Sequence, residues 1–396
     1  MVPSPPSCTR LPARRRRYRL SAAFVLLAAC AAAGDNAPPA ARTSIIDVTD
    51  LYHPHQDCGD NLDIIAAYAL PEVDLKAVIL DCTGAFRKPV SDHPNPQLRD
   101  NSGPRDPGVI PMTQMNYLFG RNVPFAVGPF GSMTAPDDKM LDAPGFQQQG
   151  VELLLKTLKE SPEKVEILSF GSARAIAVAY NRDSDLMKAK VKTIHLSAGA
   201  SSPGFQEWNI ALEPHAIVCL LRSPLPIAIY PCATKDGPFA YGPHNCFWKL
   251  ADLRFIEKMN PRLRSYLAYA FERSKRIDFL RAVEEDPPAN MLESMYRKAH
   301  NVWETCVWIR VANRRLVRRA DGTHRLVPAA DVLPTDTVLP NELKPCRVQV
   351  NDNGLFSFEI TTEPAHVWIY DRGDPMANER ALREALPALY QSFTLK

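Results

Sequence analysis

Residues 50–63 carry a high density of side chains that could do chemistry. Four aspartates, two histidines and a cysteine lie there, directly before an apolar run that ends at Leu70. Turn formation alone needs fewer aspartates than this. The loop therefore either binds a ligand, or it is a solvated turn in which Asp60 or Asn61 caps the following helix and Asp63 faces the helix dipole.

The same loop offers a second kind of metal ligand. His53, His55 and Asp57, with Cys58 beside them, provide the mixed nitrogen, oxygen and sulfur donors that suit zinc or iron. A His-Pro-His segment is also ordinary loop composition. A transition-metal site and a plain loop are therefore both open interpretations of these residues.

The spacing of apolar residues predicts the elements that position these side chains. Short runs that are apolar almost throughout are typical of strands buried on both faces of a sheet. We predict such strands over 43–48, 75–81, 123–128, 164–170, 191–197 and 225–231. Between them we predict helices over 63–70, 145–159, 173–180 and 213–221.

This alternation predicts an α/β fold, with a mostly parallel open sheet and helices on both faces. Ligands of such sheets bind beyond the carboxyl ends of the strands. The candidate positions at those ends are Asp47, Asp50, Asp81, Gly128, Gly171 and the turn 197–201.

The C-terminal part changes in character. Residues 246–310 are predicted to be mostly helical. Alternating patterns predict small β additions over 346–350, 355–361 and 365–370. An amphipathic pattern predicts a closing helix over 378–393. The 36 prolines of the chain predict long, stiff loops, especially over 88–113 and 320–345.

Residues 1–30 have the three parts of an export signal: a basic stretch, a short apolar run and small residues around Cys30. The segment 27–30, Leu-Ala-Ala-Cys, resembles a bacterial lipobox, in which Cys30 would be lipidated; simple cleavage after the alanines at 31–33 is the alternative. Residues 31–43 are then a tether. We predict an exported protein, periplasmic or on the outer surface, anchored to the membrane as a lipoprotein.

Charge and cysteine spacing exclude several classes of protein. The leader holds six of the 47 basic residues and no acid, so 41 basic side chains face 44 acidic ones in the remainder, and nothing indicates nucleic-acid binding. The arginine run over 310–319 has the composition of a solvated face. No CxxC pair, GxxxxGK, GxSxG or HExxH motif occurs, which disfavours zinc ribbons, P-loop enzymes, serine hydrolases and metalloproteases.

Motif order adds a family resemblance. Residues 45–81 run from a strand through the aspartate cluster and an apolar helix to a second strand, and 165–186 give a strand, a small-residue turn and a helix. The tripeptide Glu-Trp-Asn at 207–209 precedes another helix and strand, and His-Asn at 300–301 stands before a late helix. In this order the chain resembles the inosine-uridine nucleoside hydrolase family, with its DxDxxxDD, GPLTN, EFN and HD motifs. The resemblance covers 43–396, so we expect one domain over 44–396.

The resemblance implies a hydrolase that cleaves the N-glycosidic bond of a nucleoside or related ribosyl compound, with calcium held by carboxylates. The catalytic candidates are Asp47 and Asp50, which would activate water, and His300 near the leaving base. The substrate-binding candidates are Glu207, Trp208, Asn209, Asp60 and Arg174. The metal-ligand candidates are Asp50, Asp57, Asp63 and Asn301.

Three departures from the family pattern change the charge of this site. Leu62 and Asn301 stand where the family has aspartates, and Arg174 falls at the threonine of the GPLTN turn. Calcium affinity follows ligand charge, so these changes weaken the cage. We hypothesise that the guanidinium of Arg174 takes part of the cation's place and pairs with Asp63 or Asp50.

Two alternatives to the hydrolase follow from the same residues. The scaffold would serve as a non-catalytic nucleoside- or carbohydrate-binding lipoprotein if the cage were disabled. It would serve as a transition-metal hydrolase if His53, His55 and Asp57 held the metal. The expected partner is a small nucleoside or sugar, the expected membrane contact is the lipid anchor at Cys30, and a homo-oligomer is left open.

Overall fold

The centre of the protein is a nine-stranded sheet. The computed structural model describes residues 42–51, 58–81, 83, 108–272, 274 and 276–395, and residues 41–396 form one compact unit. The strands are β1 Thr43–Thr49, β2 Val73–Leu80, β3 Phe125–Val127, β4 Val165–Phe170, β5 Val191–Leu196, β6 Ile227–Ile229, β7 Trp248–Leu250, β8 His300–Val302, β9 Arg314–Arg318, β10 His324–Pro328, β11 Thr337–Val338, β12 Glu342–Val350, β13 Phe356–Ile360 and β14 Val367–Asp371.

The predicted mostly parallel sheet is confirmed. Strands β3, β2, β1, β4, β5, β6 and β14 pair in parallel, and β12 and β13 add an antiparallel edge. Parallel strands are covered on both faces, which explains why β1 and β4 are buried almost throughout.

Helices cover both faces of the sheet. They are α1 Cys58–Ala69, α2 Val109–Leu118, α3 Gly145–Glu160, α4 Arg174–Arg182, α5 Ser184–Lys190, α6 Trp208–Leu212, α7 Pro214–Arg222, α8 Pro261–Phe271, α9 Phe279–Ala282, α10 Ala289–Tyr296, α11 Thr305–Val311 and α12 Pro375–Gln391, with short 3-10 helices at Arg254–Lys258 and Ala329–Asp331. One apolar core includes residues of α1, α8, α11 and α12, and the other includes residues of α3, α4 and α7. Successive β1 residues alternate between these cores, so Ile45 belongs to the first and Ile46 to the second.

The C-terminal part differs from expectation in two places. The segment predicted as a loop over 320–345 contains β10 and β11, which pair antiparallel with β9. Arg314 of β9 is buried and pairs with Glu72 at 2.8 Å, so the arginine run is not simply a solvated face. The second difference is a small two-stranded antiparallel sheet, in which β7 pairs with β8, inside the region predicted to be mostly helical. In the described part of the chain, no helix is long and apolar enough to span a membrane.

Candidate functional site

Two buried carboxylates, those of Asp50 and Asp81, lie just beyond the carboxyl ends of the neighbouring strands β1 and β2. The amide of Asp81 donates to the carbonyl oxygen of Thr49 at 2.8 Å, and the amide of Asp50 donates to that of Phe170 at 3.2 Å. These bonds continue the ladder one residue beyond β1 and β2. Gly171 packs directly on Asp50, because a Cβ at Gly171 would lie 3.1 Å from the Asp50 Cβ. Asp50 and Asp81 thus lie on adjacent strands at the end of the sheet where the parallel strands terminate, called the carboxyl edge below.

Asp81 is fixed by the turn between β4 and α4. Its Oδ2 accepts a 2.8 Å bond from the Ser172 hydroxyl, and its Oδ1 accepts a 3.4 Å bond from the Ala175 amide in the first turn of α4. The turn is strained, since Ala173 has a φ of 59°, where residues with a Cβ are uncommon. Strained backbone of this kind occurs preferentially at functional sites.

Asp47 lies inside β1 and faces α1, not the open edge. It is 1% exposed, and its Oδ1 is buried without a hydrogen-bond partner among the described residues. Burial raises the pKa of Asp47 from 3.8 to about 7. A carboxylate in this position is less accessible to a substrate water than Asp50, which lies beyond the strand.

Helix α1 begins earlier than the sequence predicted. It starts at Cys58, so Asp60 lies in its first turn and Asp63 lies inside it, not immediately before it. Both aspartates are buried, at 7% and 4% exposure. The neighbouring Asn61 accepts a 2.8 Å bond from the Tyr266 hydroxyl, which ties the start of α1 to α8. His53, His55 and Asp57 lie outside the described residues.

The expected pairing of Arg174 with Asp63 or Asp50 is wrong. Arg174 is fully buried, and its Nε donates to Glu213 Oε2 at 2.7 Å while its Nη1 donates to the carbonyl oxygen of Pro129 at 3.0 Å. Glu213 stands between α6 and α7, so the ion pair links the start of α4 to that junction. The guanidinium is held by a carboxylate that the motif comparison had not connected to it.

Glu207 and Asn209 lie after the turn that follows β5. Glu207 caps α6, because its carboxylate accepts bonds from the amides of Gly199 at 2.8 Å and of Asn209 at 3.0 Å. Burial raises the pKa of Glu207 to about 7, although these amide bonds act in the opposite direction. Asn209 Nδ2 donates to the carbonyl oxygen of Ser197 at 2.8 Å, and Trp208 is 54% exposed.

Gly199 permits this close approach. Its φ is +86°, and a Cβ there would lie 2.3 Å from the ring of Phe356. Only glycine fits such a position, so the turn 197–201 must keep it to let Glu207 reach the Gly199 amide.

His300 and Asn301 lie in β8, not at the start of a helix; α11 begins at Thr305. Burial, and then the ammonium group of Lys298, lowers the pKa of His300 to about 4, so the imidazole is neutral at pH 7. The ring stacks on Phe271 at 5.4 Å, and its Nε2 is buried without a partner in the described part of the chain. Strand β8 packs against α1, which places this segment beside the aspartate-bearing helix.

The donor set for calcium is incomplete among the described side chains. Over the described ranges, which omit 52–57 and therefore Asp57, no three His, Cys, Asp or Glu residues are arranged to hold a metal ion. Calcium takes six to eight oxygen ligands. The described residues do not by themselves supply the ligands for this ion.

Glu213 is a polar residue of this region that the sequence pattern does not identify, whereas Asp81 is one of the expected strand-end positions. Asp81 was visible as the acid at the end of the second strand. Glu213 was visible only as a residue before a helix, and its partner lies 39 positions away in the chain. No local pattern identifies such a pair.

Taken together, the fold and the edge define an α/β protein with buried carboxylates beyond the carboxyl ends of its parallel strands. The chain is 28% identical over 191 residues to the pyrimidine-specific ribonucleoside hydrolase RihA of Citrobacter koseri, a match that covers 43% of this chain and 55% of that protein. The RihA protein of Escherichia coli O127:H6 gives 28% over 182 residues with the same coverage. The chain thus spans about half the length of these curated relatives in each match.

A solved structure shares the fold. The plant nucleoside hydrolase PpNRh1 superposes with a TM-score of 0.50 at 16% identity, over 89% of this chain and 100% of that one. No protein-family model matches the chain. The expected resemblance to the nucleoside hydrolases is confirmed by these similarities in sequence and in fold.

Proposed function

We propose that the protein hydrolyses the N-glycosidic bond of a nucleoside or a related ribosyl compound. The observation that carries this proposal is the placement of Asp50 and Asp81 beyond adjacent strands, with Glu207 and Asn209 beyond β5 at the same edge. This is where ligands bind in parallel α/β sheets. The relationship to ribonucleoside hydrolases supports the choice of reaction.

The reaction passes through an oxocarbenium-like transition state, so the site must activate a water and hold the sugar. Asp50 is assigned as the general base, since it lies beyond β1 while Asp47 is enclosed within the strand. Asn209 and Glu207 contact the sugar hydroxyls, and the exposed Trp208 forms the rim. His300 faces the leaving base as a neutral imidazole that forms a hydrogen bond without carrying charge.

The test is release of reducing sugar from a panel of purine and pyrimidine nucleosides. The full mature protein is assayed with added calcium and with a chelator, beside Asp50→Asn and Asp63→Ala. Asp142→Asn, at an exposed aspartate in the loop before α3, is the matched control. Release that is lost in both site variants and kept in the control supports the proposal. No release from any nucleoside under either condition contradicts it.

A second candidate is a non-catalytic nucleoside- or carbohydrate-binding protein on the same scaffold. The specific observation in its favour is that both oxygens of Glu207 already accept bonds from backbone amides. Calorimetric binding of a nucleoside without sugar release would select this candidate. A transition-metal hydrolase using His53, His55 and Asp57 is tested separately, by metal analysis of the protein and of His55→Ala.

We further infer that the protein is exported and anchored through Cys30. The basic, apolar and small-residue order of residues 1–30 supports this inference. Intact mass of the membrane-extracted protein would show a lipidated N-terminal Cys30, and Cys30→Ala would move the protein to the soluble fraction. An unmodified N-terminus in the soluble fraction of the unsubstituted protein would contradict the inference.

A further inference from the structure

A second concave surface lies at the opposite end of the sheet from the candidate site. It is a cavity of about 700 Å³, and its lining includes Thr43 at the start of β1, Glu166 in β4, Lys192 in β5 and Trp368 in β14. Each of these residues is the first or second of its strand. At about 3.3 Å per residue, six-residue β5 separates the two ends by about 20 Å. The cavity is therefore distinct from the carboxyl edge.

Positive charge predominates in this cavity. Lys192, Arg310 and Arg315 line it, against the single carboxylate of Glu166. Lys192 pairs with Glu166 at 3.0 Å, and Glu166 also contacts His195 Nε2 at 3.3 Å. Burial raises the pKa of Glu166, but the bonds from His195 and Lys192 lower it by more, so the net shift is downward. The carboxylate is therefore ionised, and it is already paired with these two side chains.

Neither Arg310 nor Arg315 has an acidic partner among the residues that the structure describes. Among the described residues Arg310 makes no side-chain hydrogen bond or ion pair, and Arg315 donates only to neutral oxygens: the Arg314 carbonyl at 2.9 Å and Asn313 Oδ1 at 3.4 Å. Other members of the arginine run differ, since Arg314 pairs with Glu72 and Arg319 with Asp336. Arg318 also has no acidic partner among the described residues, but it lines neither cavity, so Arg310 and Arg315 are the unneutralised arginines of the run that line this one.

The remaining lining fits a ligand with a ring. Trp368 is half-buried and is one of the lining residues. Indole faces stack on aromatic bases. An adjoining cavity of about 440 Å³ is also lined by Arg310 and Arg315. The larger volume lies within the usual range of 300 to 1,000 Å³ for small-molecule sites.

We propose that this cavity binds a phosphomonoester with an attached ring, of the nucleoside monophosphate class, with its phosphate on Arg310 and Arg315 and its ring on Trp368. A phosphomonoester carries nearly two negative charges at neutral pH, and guanidinium groups bind its oxygens in pairs. Lys192, paired with Glu166, is a further basic residue of the lining. This site does not depend on the proposed hydrolase function.

The test is calorimetry on the full mature protein at fixed ionic strength, with inorganic phosphate, uridine monophosphate and uridine as separate probes. Arg310→Gln and Arg315→Gln should each weaken binding of uridine monophosphate at least tenfold. Arg318→Gln is the matched control, because Arg318 belongs to the same run and is exposed, but lines neither cavity. Trp368→Leu should remove the advantage of uridine monophosphate over phosphate.

Several outcomes would overturn the proposal. Failure of both anions to bind would do so, as would equal binding by the arginine variants and the wild-type protein. Equal affinity for phosphate and uridine monophosphate would remove the aromatic contact. Loss of phosphate binding in Asp50→Asn would place the anion at the carboxyl edge instead. Sugar release is measured on the same preparations, so failure of this site and failure of the hydrolase proposal are read separately.

Discussion

Arg174 and Glu213 form an ion pair in which both side chains are 0% exposed, with Nε and Oε2 2.7 Å apart. Glu213 Oε2 also accepts a 2.9 Å bond from the Met133 amide, so one carboxylate joins α4, the α6–α7 junction and the loop before α3. The pair occupies the turn where the family resemblance placed a cation-binding carbonyl. Here the positive charge is covalently part of the chain and pairs with Glu213, not with the aspartates of α1.

Arg174→Met should therefore destabilise the protein and not create a calcium site. Removing one member of a buried ion pair leaves an uncompensated charge, which costs about 3 to 5 kcal/mol of unfolding free energy. The double variant Arg174→Met with Glu213→Gln should recover most of that loss. Urea unfolding of the three proteins checks this. A single variant within about 1 kcal/mol of wild type would contradict it.

Much of the fold could be predicted because parallel strands leave a clear sequence signal. Strands β1, β2 and β4 contribute residues to both apolar cores, so their sequences carry short runs of apolar residues. Helix α3 was predicted within one residue of its observed end, since its apolar residues recur at helical spacing. The carboxyl-edge positions of Asp50 and Asp81 followed from the strand ends alone.

The errors come from contacts that only the folded chain brings together. Strand β9, Arg-Arg-Leu-Val-Arg, resembles a solvated segment because the burial of Arg314 depends on Glu72, which is distant in sequence. The partner of Arg174 is equally remote. The sequence around Cys58 contains aspartates and a glycine, which favour a turn. Helix α1 nevertheless begins at Cys58, because the contact of Asn61 with Tyr266 packs its first turns against α8.

Asp47→Asn should stabilise the protein above neutral pH. The native state keeps the Asp47 proton up to a pKa of about 7, whereas the unfolded chain releases it near 3.8. Between these values the native state binds more protons, so unfolding free energy falls as pH rises. With about 1.4 kcal/mol per pKa unit, the full loss is about 4 kcal/mol above pH 7. Unfolding at pH 5 and pH 8 measures it.

The control for this prediction is Asp142→Asn, at an exposed aspartate. The stabilisation by Asp47→Asn should be larger at pH 8 than at pH 5, while the control should show no such difference. An equal change at both pH values would mean that Asp47 is not protonated preferentially in the native state.

Glu207→Ala should cost more stability than Glu207→Gln. The alanine variant leaves the buried Gly199 amide and the first amides of α6 without their acceptor, a loss of about 1 to 3 kcal/mol. Glutamine retains one acceptor oxygen. Asp183→Ala is a matched control, because Asp183 caps α5 through the Leu186 amide at 3.0 Å. If Glu207 also holds the sugar, Glu207→Gln raises KM, whereas Asp183→Ala leaves it unchanged.

His300 should remain neutral until the pH falls well below 6. Its native pKa is lowered to about 4, below the unfolded value of 6.5, so the unfolded chain binds the proton first as acid is added. The stability associated with neutral His300 is thus present above pH 6.5 and is lost progressively toward pH 4.

Imidazole NMR titration, with His300→Gln to assign the signal, measures the pKa directly. In unfolding experiments His300→Gln should lose less stability between pH 6.5 and 4 than wild type does. A midpoint near 6.5 would show instead that the ring is solvated in the native state.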